Sequence, residues 1–176
     1  FSVIMHLTKA RWSKEISPLA EGFALFFPLS LAGFGILFFG REWIFPWLHQ
    51  DTGKTFWLNL PSLFLRDGAG LILLYALGLG YVYQAMKMRF HGYSAGTYQG
   101  LSGRFRAALE GRWRRRPLEL EKTLKAKTIF AVLYAVAYAW VLSLLGYDLV
   151  LSANPHFIST LFGAYSFVKA FYAGLG

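Results

Sequence analysis

The sequence predicts an all-α protein, a polytopic transmembrane helix bundle of which about four spans are present. Three observations predict this class. The chain has 176 residues and a mean hydropathy of +0.41. Only 15% of its residues are charged, against about 25% in typical soluble domains. Its apolar residues form runs as long as the roughly 20 residues that a helix needs to cross a bilayer.

Four apolar segments are the candidate spans, and they cover about 18–39, 65–88, 128–147 and 157–176. Pro28 lies inside the first segment and should kink that helix by freeing a backbone carbonyl. The fourth segment is long enough to cross, although we expect it to be truncated. The opening residues FSVIMH show no initiator Met and no signal peptide. We therefore interpret 1–176 as one transmembrane helical region and an internal fragment of a longer chain.

The basic residues predict how the spans are oriented. Eleven of the eighteen Lys and Arg lie from Lys87 to Lys127, and three more precede the first span. Because Lys and Arg are enriched in cytoplasmic loops, the N-terminal stretch and the basic loop 89–125 are predicted to be cytoplasmic. Loops 41–64 and 148–156 then face the opposite side. A nucleic-acid patch or a contact with lipid headgroups would also be basic, but no RNA or DNA module accompanies the loop, so we expect lipid and no nucleic acid as partners.

Small residues four apart indicate that the spans pack closely. Ala131, Ala135 and Ala139 form a row on the third span, and Ala76 and Gly80 form a shorter one on the second. Small side chains let helix backbones approach each other in lipid. The pattern predicts a bundle and nothing more specific.

Five ionisable residues near the span ends are the candidate functional residues, since an ionisable group within a span costs about 2.5–3.5 kcal/mol. Glu21 lies one turn into the first span, on the cytoplasmic side. Arg66 and Asp67 open the second span from the outer side, while Asp148 closes the third and His156 follows it. Two interpretations stay open. The residues either anchor the interface, with Asp67 favoured by the helix dipole, or form a proton or quinone path.

Antiparallel neighbours should bring Asp67 and Asp148 together at the outer face. Two adjacent carboxylates repel each other unless a cation lies between them. We therefore expect a mixed-charge cluster that includes Arg66 or His156 and whose protonation depends on these neighbours.

The histidines and cysteines argue against a bound cofactor. A membrane b-type haem needs two histidines at similar depth. His49 and His91 fall in loops, and His6 and His156 fall on opposite sides, so no pair qualifies. The chain has no cysteine, which excludes a disulfide and a Cys-ligated cluster, and no zinc-binding spacing occurs. We expect this segment to bind neither haem nor metal.

Three strings carry a resemblance to a known family: HLTKARWSKEISPLAE at 6–21, WLNLPSLFLRDG at 57–68 and YDLVLSANPHFISTLFGAYSF at 147–167. They resemble the second large membrane subunit of bacterial alternative complex III, in the polysulfide-reductase-type (NrfD-like) family. In the last string seven residues match the family pattern: Asp148, Ser152, Pro155, His156, Ser159, Thr160 and Gly163. Leu149 stands where the family usually has Trp, and Phe157 and Ile158 depart from its Trp-Phe pair.

The resemblance implies a multi-pass subunit of a respiratory quinol:electron-acceptor oxidoreductase in the bacterial inner membrane. It implies as partners a paralogous membrane subunit and iron–sulfur and multi-haem cytochrome c subunits. Those partners would hold the haem and iron–sulfur groups, quinone or quinol would bind in the complex, and this subunit would support quinol oxidation and proton translocation. The resemblance points to the same candidates, which are Glu21, Arg66, Asp67, Asp148 and His156.

Two other functions remain open. A non-catalytic scaffold for redox partners would belong to the same family and give the polar residues no proton role. A secondary transporter would need broken helices in related halves of the chain, and only one mid-span proline is present.

Overall fold

The computed structural model describes residues 1–10, 13–49, 59–92, 119–153 and 159–173. Within these ranges every regular element is helical, which confirms the predicted all-α class. Among the residues described, three stretches are long and apolar enough to cross a membrane: Ile16–Phe39, Leu60–Arg89 and Leu120–Val150.

A short 3₁₀ turn lies within the first span, just before its proline. A short helix α1 (Ser2–Leu7) precedes α2 (Ser13–Gly22), and a 3₁₀ turn (Phe23–Phe26) joins α2 to α3 (Phe27–Phe39). Pro28 stands in the first turn of α3, where a missing N–H costs little. Pro28 has no N–H that could donate to the Ala24 carbonyl, four residues earlier. That carbonyl accepts a hydrogen bond from the Phe27 N–H instead. The hydrogen-bond pattern therefore changes just before Pro28, and the kink of the helix stays a prediction.

The second and third spans form the centre of the bundle. After α4 (Arg41–Ile44) and a second 3₁₀ turn (Pro46–His49), α5 runs from Leu60 to Gly92 and α6 from Leu120 to Leu145. A π-helical turn, Gly146–Leu151, continues α6.

Both central helices extend beyond the predicted spans, so the basic loop is shorter than the predicted 89–125. Its middle, 93–118, lies outside the described residues. At the start of α6, Glu119 pairs with Lys122, and Glu121 pairs with Lys125 at 2.6 Å. Such pairs three and four residues apart stabilise an exposed helical turn, which explains why α6 begins before the apolar run.

The predicted count of four spans is wrong for the part of the chain that the structure describes, where three helices qualify. The fourth segment contains α7 (Phe162–Ala173), which has 12 residues. At 1.5 Å per residue this helix is about 18 Å long, well short of a hydrocarbon core of about 30 Å. The shortfall arises because the helix begins at Phe162, several residues after the predicted start.

Helices α5 and α6 pack antiparallel through their small residues. Gly70 faces Val141, and further along Gly80 faces Phe130 so closely that an added Cβ would lie 2.6 Å from the ring. Ala131 is fully buried. Gly80 and Ala131, both predicted as packing positions, therefore lie at helix contacts, and the close approach fixes which polar residues meet at each end.

Candidate functional site: two buried polar clusters

The Asp67 cluster (Arg66, Asp67 and Asp148) lies where α5 meets the π-helical turn. Asp148 accepts two hydrogen bonds on Oδ2, from Arg66 Nε at 2.8 Å and from Arg66 Nη2 at 2.5 Å. Asp148 is fully buried, and the Arg66 side chain is 23% exposed. The predicted meeting of these two helix ends, with Arg66 in contact with a carboxylate, is what the structure shows.

Asp67 is the unusual member of this cluster. It is 2% exposed, and neither carboxylate oxygen has a hydrogen-bond partner among the described residues. Among the described residues, the charged groups that act on it are Asp148 and Arg66. Because α5 begins at Leu60, Asp67 is about two turns into the helix. The helix dipole acts mainly within the first turn, so the predicted dipole stabilisation of Asp67 does not apply.

The π-helical turn positions Asp148. The Ser152 N–H donates to the Tyr147 carbonyl at 3.1 Å, the five-residue spacing that defines this geometry. The Ser152 hydroxyl donates to the Asp148 carbonyl. Single π turns inside α-helices are frequent at functional sites, since they rotate side chains out of the regular α-helical register. This turn was not predicted from the sequence.

The Glu21 cluster (Ser2, Ser17, Glu21, Tyr81 and Arg89) lies at the other end of the bundle. Glu21 Oε1 accepts three hydrogen bonds, from Arg89 Nη2 and Ser17 Oγ at 2.9 Å each and from Ser2 Oγ at 3.0 Å. The Tyr81 hydroxyl donates to the Ser2 carbonyl at 3.1 Å. The Glu21 side chain is 4% exposed, so this carboxylate is held inside the protein rather than extended toward headgroups.

The two clusters are separated by about the thickness of a membrane. Arg66 and Arg89 lie on the same helix, 23 residues apart, which is about 35 Å at 1.5 Å per residue. The hydrocarbon core of a bilayer is about 30 Å thick. Glu21 therefore lies at the end opposite to Asp67 and Asp148, as the sequence predicts, while His156 lies outside the described residues.

Hydroxyl groups lie at intermediate depth between the clusters. Tyr134 lies close to both Tyr75 and Tyr138, and the Tyr134 and Tyr138 rings are 6.1 Å apart. The Tyr75 and Ser30 hydroxyls are 2.5 Å apart. These residues were not singled out from the sequence, where tyrosines indicate only aromatic belts at the membrane surface.

Arg89 and the hydroxyl donors were also missed from the sequence. Arg89 was counted with the basic loop as an orientation signal, yet its guanidinium pairs with Glu21 inside the bundle. Arg89 could have been found by asking which cation lies at the same depth as Glu21, because a buried carboxylate needs a positively charged partner.

An apolar cavity of about 890 Å³ opens beside the Glu21 cluster, between α1, α2, α5, α6 and α7. Its walls are mainly aliphatic and aromatic, and Glu21, Ser2 and Tyr81 contribute polar atoms. The volume is in the range of small-molecule sites.

In the described ranges no three His, Asp or Glu side chains converge in the way that a metal site requires. The absence of a bound cofactor stays a prediction. Comparisons of this chain with protein-family models, curated proteins and solved structures returned no match.

Proposed function

We propose that this chain is an integral membrane subunit of a respiratory quinol oxidoreductase of the alternative complex III type, in the bacterial inner membrane. In this proposal its two polar clusters take part in moving protons across the membrane while partner subunits carry the electrons. The observation that carries the proposal is a pair of buried, charged clusters at opposite ends of one transmembrane bundle.

The resembling strings and the geometry point to the same residues. The string at 6–21 ends on Glu21, the string at 57–68 contains Arg66 and Asp67, and the string at 147–167 contains Asp148. Arg66 and Asp148 are 82 residues apart in sequence and form one ion pair. Strings that resemble one family and also meet in space support a shared role for their polar residues.

Proton movement is the chemistry that these groups suit best. Burial favours the neutral form of a carboxyl group, so a buried carboxylate can take up a proton near neutral pH. The hydroxyls of Tyr75, Tyr134 and Tyr138 supply donors and acceptors at intermediate depth. Water or neighbouring subunits would have to complete the route between these groups.

Replacing Asp148 in the intact complex tests the proposal. We expect Asp148→Asn to lower proton movement coupled to quinol oxidation several-fold, measured by acidification outside reconstituted vesicles. Glu42→Gln, at an exposed carboxylate near the same end, is the matched control and should leave both rates unchanged. Removing one partner of a buried ion pair costs about 3–5 kcal/mol, so assembly of each variant must be verified first. If coupled proton movement survives Asp148→Asn in an assembled complex, the proton role is wrong.

A scaffold for redox partners is the second candidate function. The first span favours this function. None of the residues in its most apolar 18-residue stretch is buried against the rest of this chain, so their side chains are free to contact other subunits. A scaffold predicts that Asp148→Asn and Glu42→Gln behave alike. Listing the subunits that purify with the chain would separate both functions from a secondary transporter.

A further inference from the structure

The apolar cavity beside the Glu21 cluster begins near the membrane surface and continues into the bundle. Glu21 forms part of its wall, and the wall continues to Phe27, about 9 Å further at 1.5 Å per residue. On α6 the wall reaches Ala139, and Phe167 and Phe171 of α7 close the same side. A cavity that is polar at the surface and apolar at depth suits a lipid, with its headgroup beside Glu21 and an acyl chain inside.

Glu21 has one oxygen atom without a hydrogen-bond donor. Its Oε1 accepts hydrogen bonds from Arg89, Ser17 and Ser2. Its Oε2 is buried and has no hydrogen-bond partner among the residues that the structure describes. A buried acceptor without a donor destabilises a protein. Because Glu21 belongs to the cavity wall, a donor that enters this end of the cavity would supply the missing bond.

A lysine lies close to the same end of the cavity. Lys127 Nζ is 5.2 Å from the centroid of the Tyr81 ring, and Tyr81 also belongs to the cavity wall. The carboxylate of Glu21 is paired with Arg89, and in the described part of the chain no carboxylate forms an ion pair with Lys127. This end of the cavity therefore combines an acceptor that lacks a donor with a cation that lacks an anionic partner.

We propose that the cavity binds phosphatidylethanolamine, with the lipid ammonium group donating to Glu21 Oε2, the phosphate beside Lys127 and one acyl chain in the apolar part. An ammonium group has three N–H donors, and lysine binds phosphate as a point charge. Phosphatidylcholine carries the same phosphate, but methyl groups replace its N–H donors. The lipid site does not depend on the proton role proposed above, and either can fail without the other.

Native mass spectrometry of the assembled full-length protein tests the headgroup. Phosphatidylethanolamine and phosphatidylcholine with identical acyl chains are added separately. We expect the first to bind about tenfold more tightly, the factor that a hydrogen bond to a charged group provides. Glu21→Gln should abolish this preference. Equal binding of both lipids to the wild type, or a preference that persists in Glu21→Gln, would show that Glu21 does not select the headgroup.

Lys127→Gln tests the phosphate contact and should weaken the binding of both lipids alike. Lys125→Gln is its control, because Lys125 is exposed and pairs with Glu121 on the same helix. If the two substitutions have equal effects, the phosphate does not lie beside Lys127.

Filling the cavity tests the position of the acyl chain, even if Glu21→Gln fails to assemble. Ala139→Phe places a ring in the cavity and should release both lipids. Val136→Phe adds a ring at a position that is 63% exposed on the same helix, outside the cavity wall, and should leave binding unchanged. Lipid binding that survives Ala139→Phe, or that is lost equally in both variants, would place the lipid elsewhere and overturn the proposal.

Discussion

The carboxylates at the two ends of the bundle differ in how their oxygens are satisfied. Glu21 Oε1 receives three donors, one of them a guanidinium, whereas Asp67 receives none from the described residues. Hydrogen bonds to a carboxylate favour its ionised form. The bonds to Glu21 therefore link α2 to α5, whereas no bond from a described residue holds the Asp67 carboxyl group in place.

His6 permits a test of the electrostatics near the Glu21 end. It lies on α1, outside the three candidate spans, and its Nε2 is 3.3 Å from Thr128 Oγ1. Burial, and to a smaller extent the charge of Lys127, lowers the pKa of His6 below its ordinary value. Because the lowered pKa disfavours the charged form in the folded state, stability should fall as pH drops through the ordinary histidine pKa of about 6.5.

We expect Lys127→Gln to raise the pKa of His6 partway toward its ordinary value, since burial would remain. NMR titration of the imidazole resonances measures this directly. Lys125→Gln removes a charge from an exposed, ion-paired lysine on the same helix and serves as the control. An equal effect of both substitutions would show that no specific contact with Lys127 is involved.

At the scale of the elements, hydropathy and small-residue spacing predicted three of the four expected spans and the close packing of two of them, because both signals follow from local sequence. The junction of Asp67 with Asp148 was also predictable, since consecutive spans joined by one loop run antiparallel. The π-helical turn at Gly146–Leu151 was not, because no local pattern in the sequence marks the five-residue spacing of its hydrogen bond from the Ser152 N–H to the Tyr147 carbonyl. Arg89 was missed for a related reason. The number of Lys and Arg residues in a loop does not show which of their side chains lies inside the bundle.

The contact between α5 and α6 at Gly80 predicts a specific packing defect. An added Cβ at Gly80 would lie 2.6 Å from Phe130 Cε1. We expect Gly80→Ala to lower the free energy of unfolding by about 1–3 kcal/mol, the usual cost of overpacking, measured by denaturation in detergent. Gly35→Ala is the matched control, because no atom lies within 4 Å of its added Cβ.

The control substitution should be neutral or stabilising, since Ala exceeds Gly in helix propensity by about 1 kcal/mol. Combining Gly80→Ala with Phe130→Ala should recover part of the loss, because the ring that clashes is removed. If the double variant is as unstable as the sum of both single variants, the steric explanation is wrong.

At the scale of the whole molecule, the central antiparallel pair places a carboxylate–arginine cluster at each end of the bundle. The Asp67 cluster lies near the end of α4, where the next residue, Phe45, packs against Phe64 of α5 at 6.3 Å between ring centroids. The Glu21 cluster lies beside the start of α6, where Lys127 Nζ is 5.2 Å from the centroid of the Tyr81 ring. A proton path would therefore have an entry and an exit at different faces, provided that the bundle crosses the membrane as the basic residues predict.

Cysteine labelling tests that orientation. The chain has no cysteine, so single cysteines at Glu42 and Lys122 give unambiguous signals; Glu42 is exposed, and the Lys122 side chain is 80% exposed. Positive-inside asymmetry predicts that a membrane-impermeant thiol reagent labels position 122 from the cytoplasmic side and position 42 from the opposite side. Thr8 is exposed and follows directly after α1, which contacts α6 through His6 and Thr128. A cysteine at Thr8 should therefore label from the same side as position 122. The predicted orientation requires an odd number of membrane crossings between positions 42 and 122. Labelling of both positions from one side would show that the number is even. The two carboxylate clusters would then not face opposite compartments, and a transmembrane proton route through both would be wrong even if each cluster binds a proton.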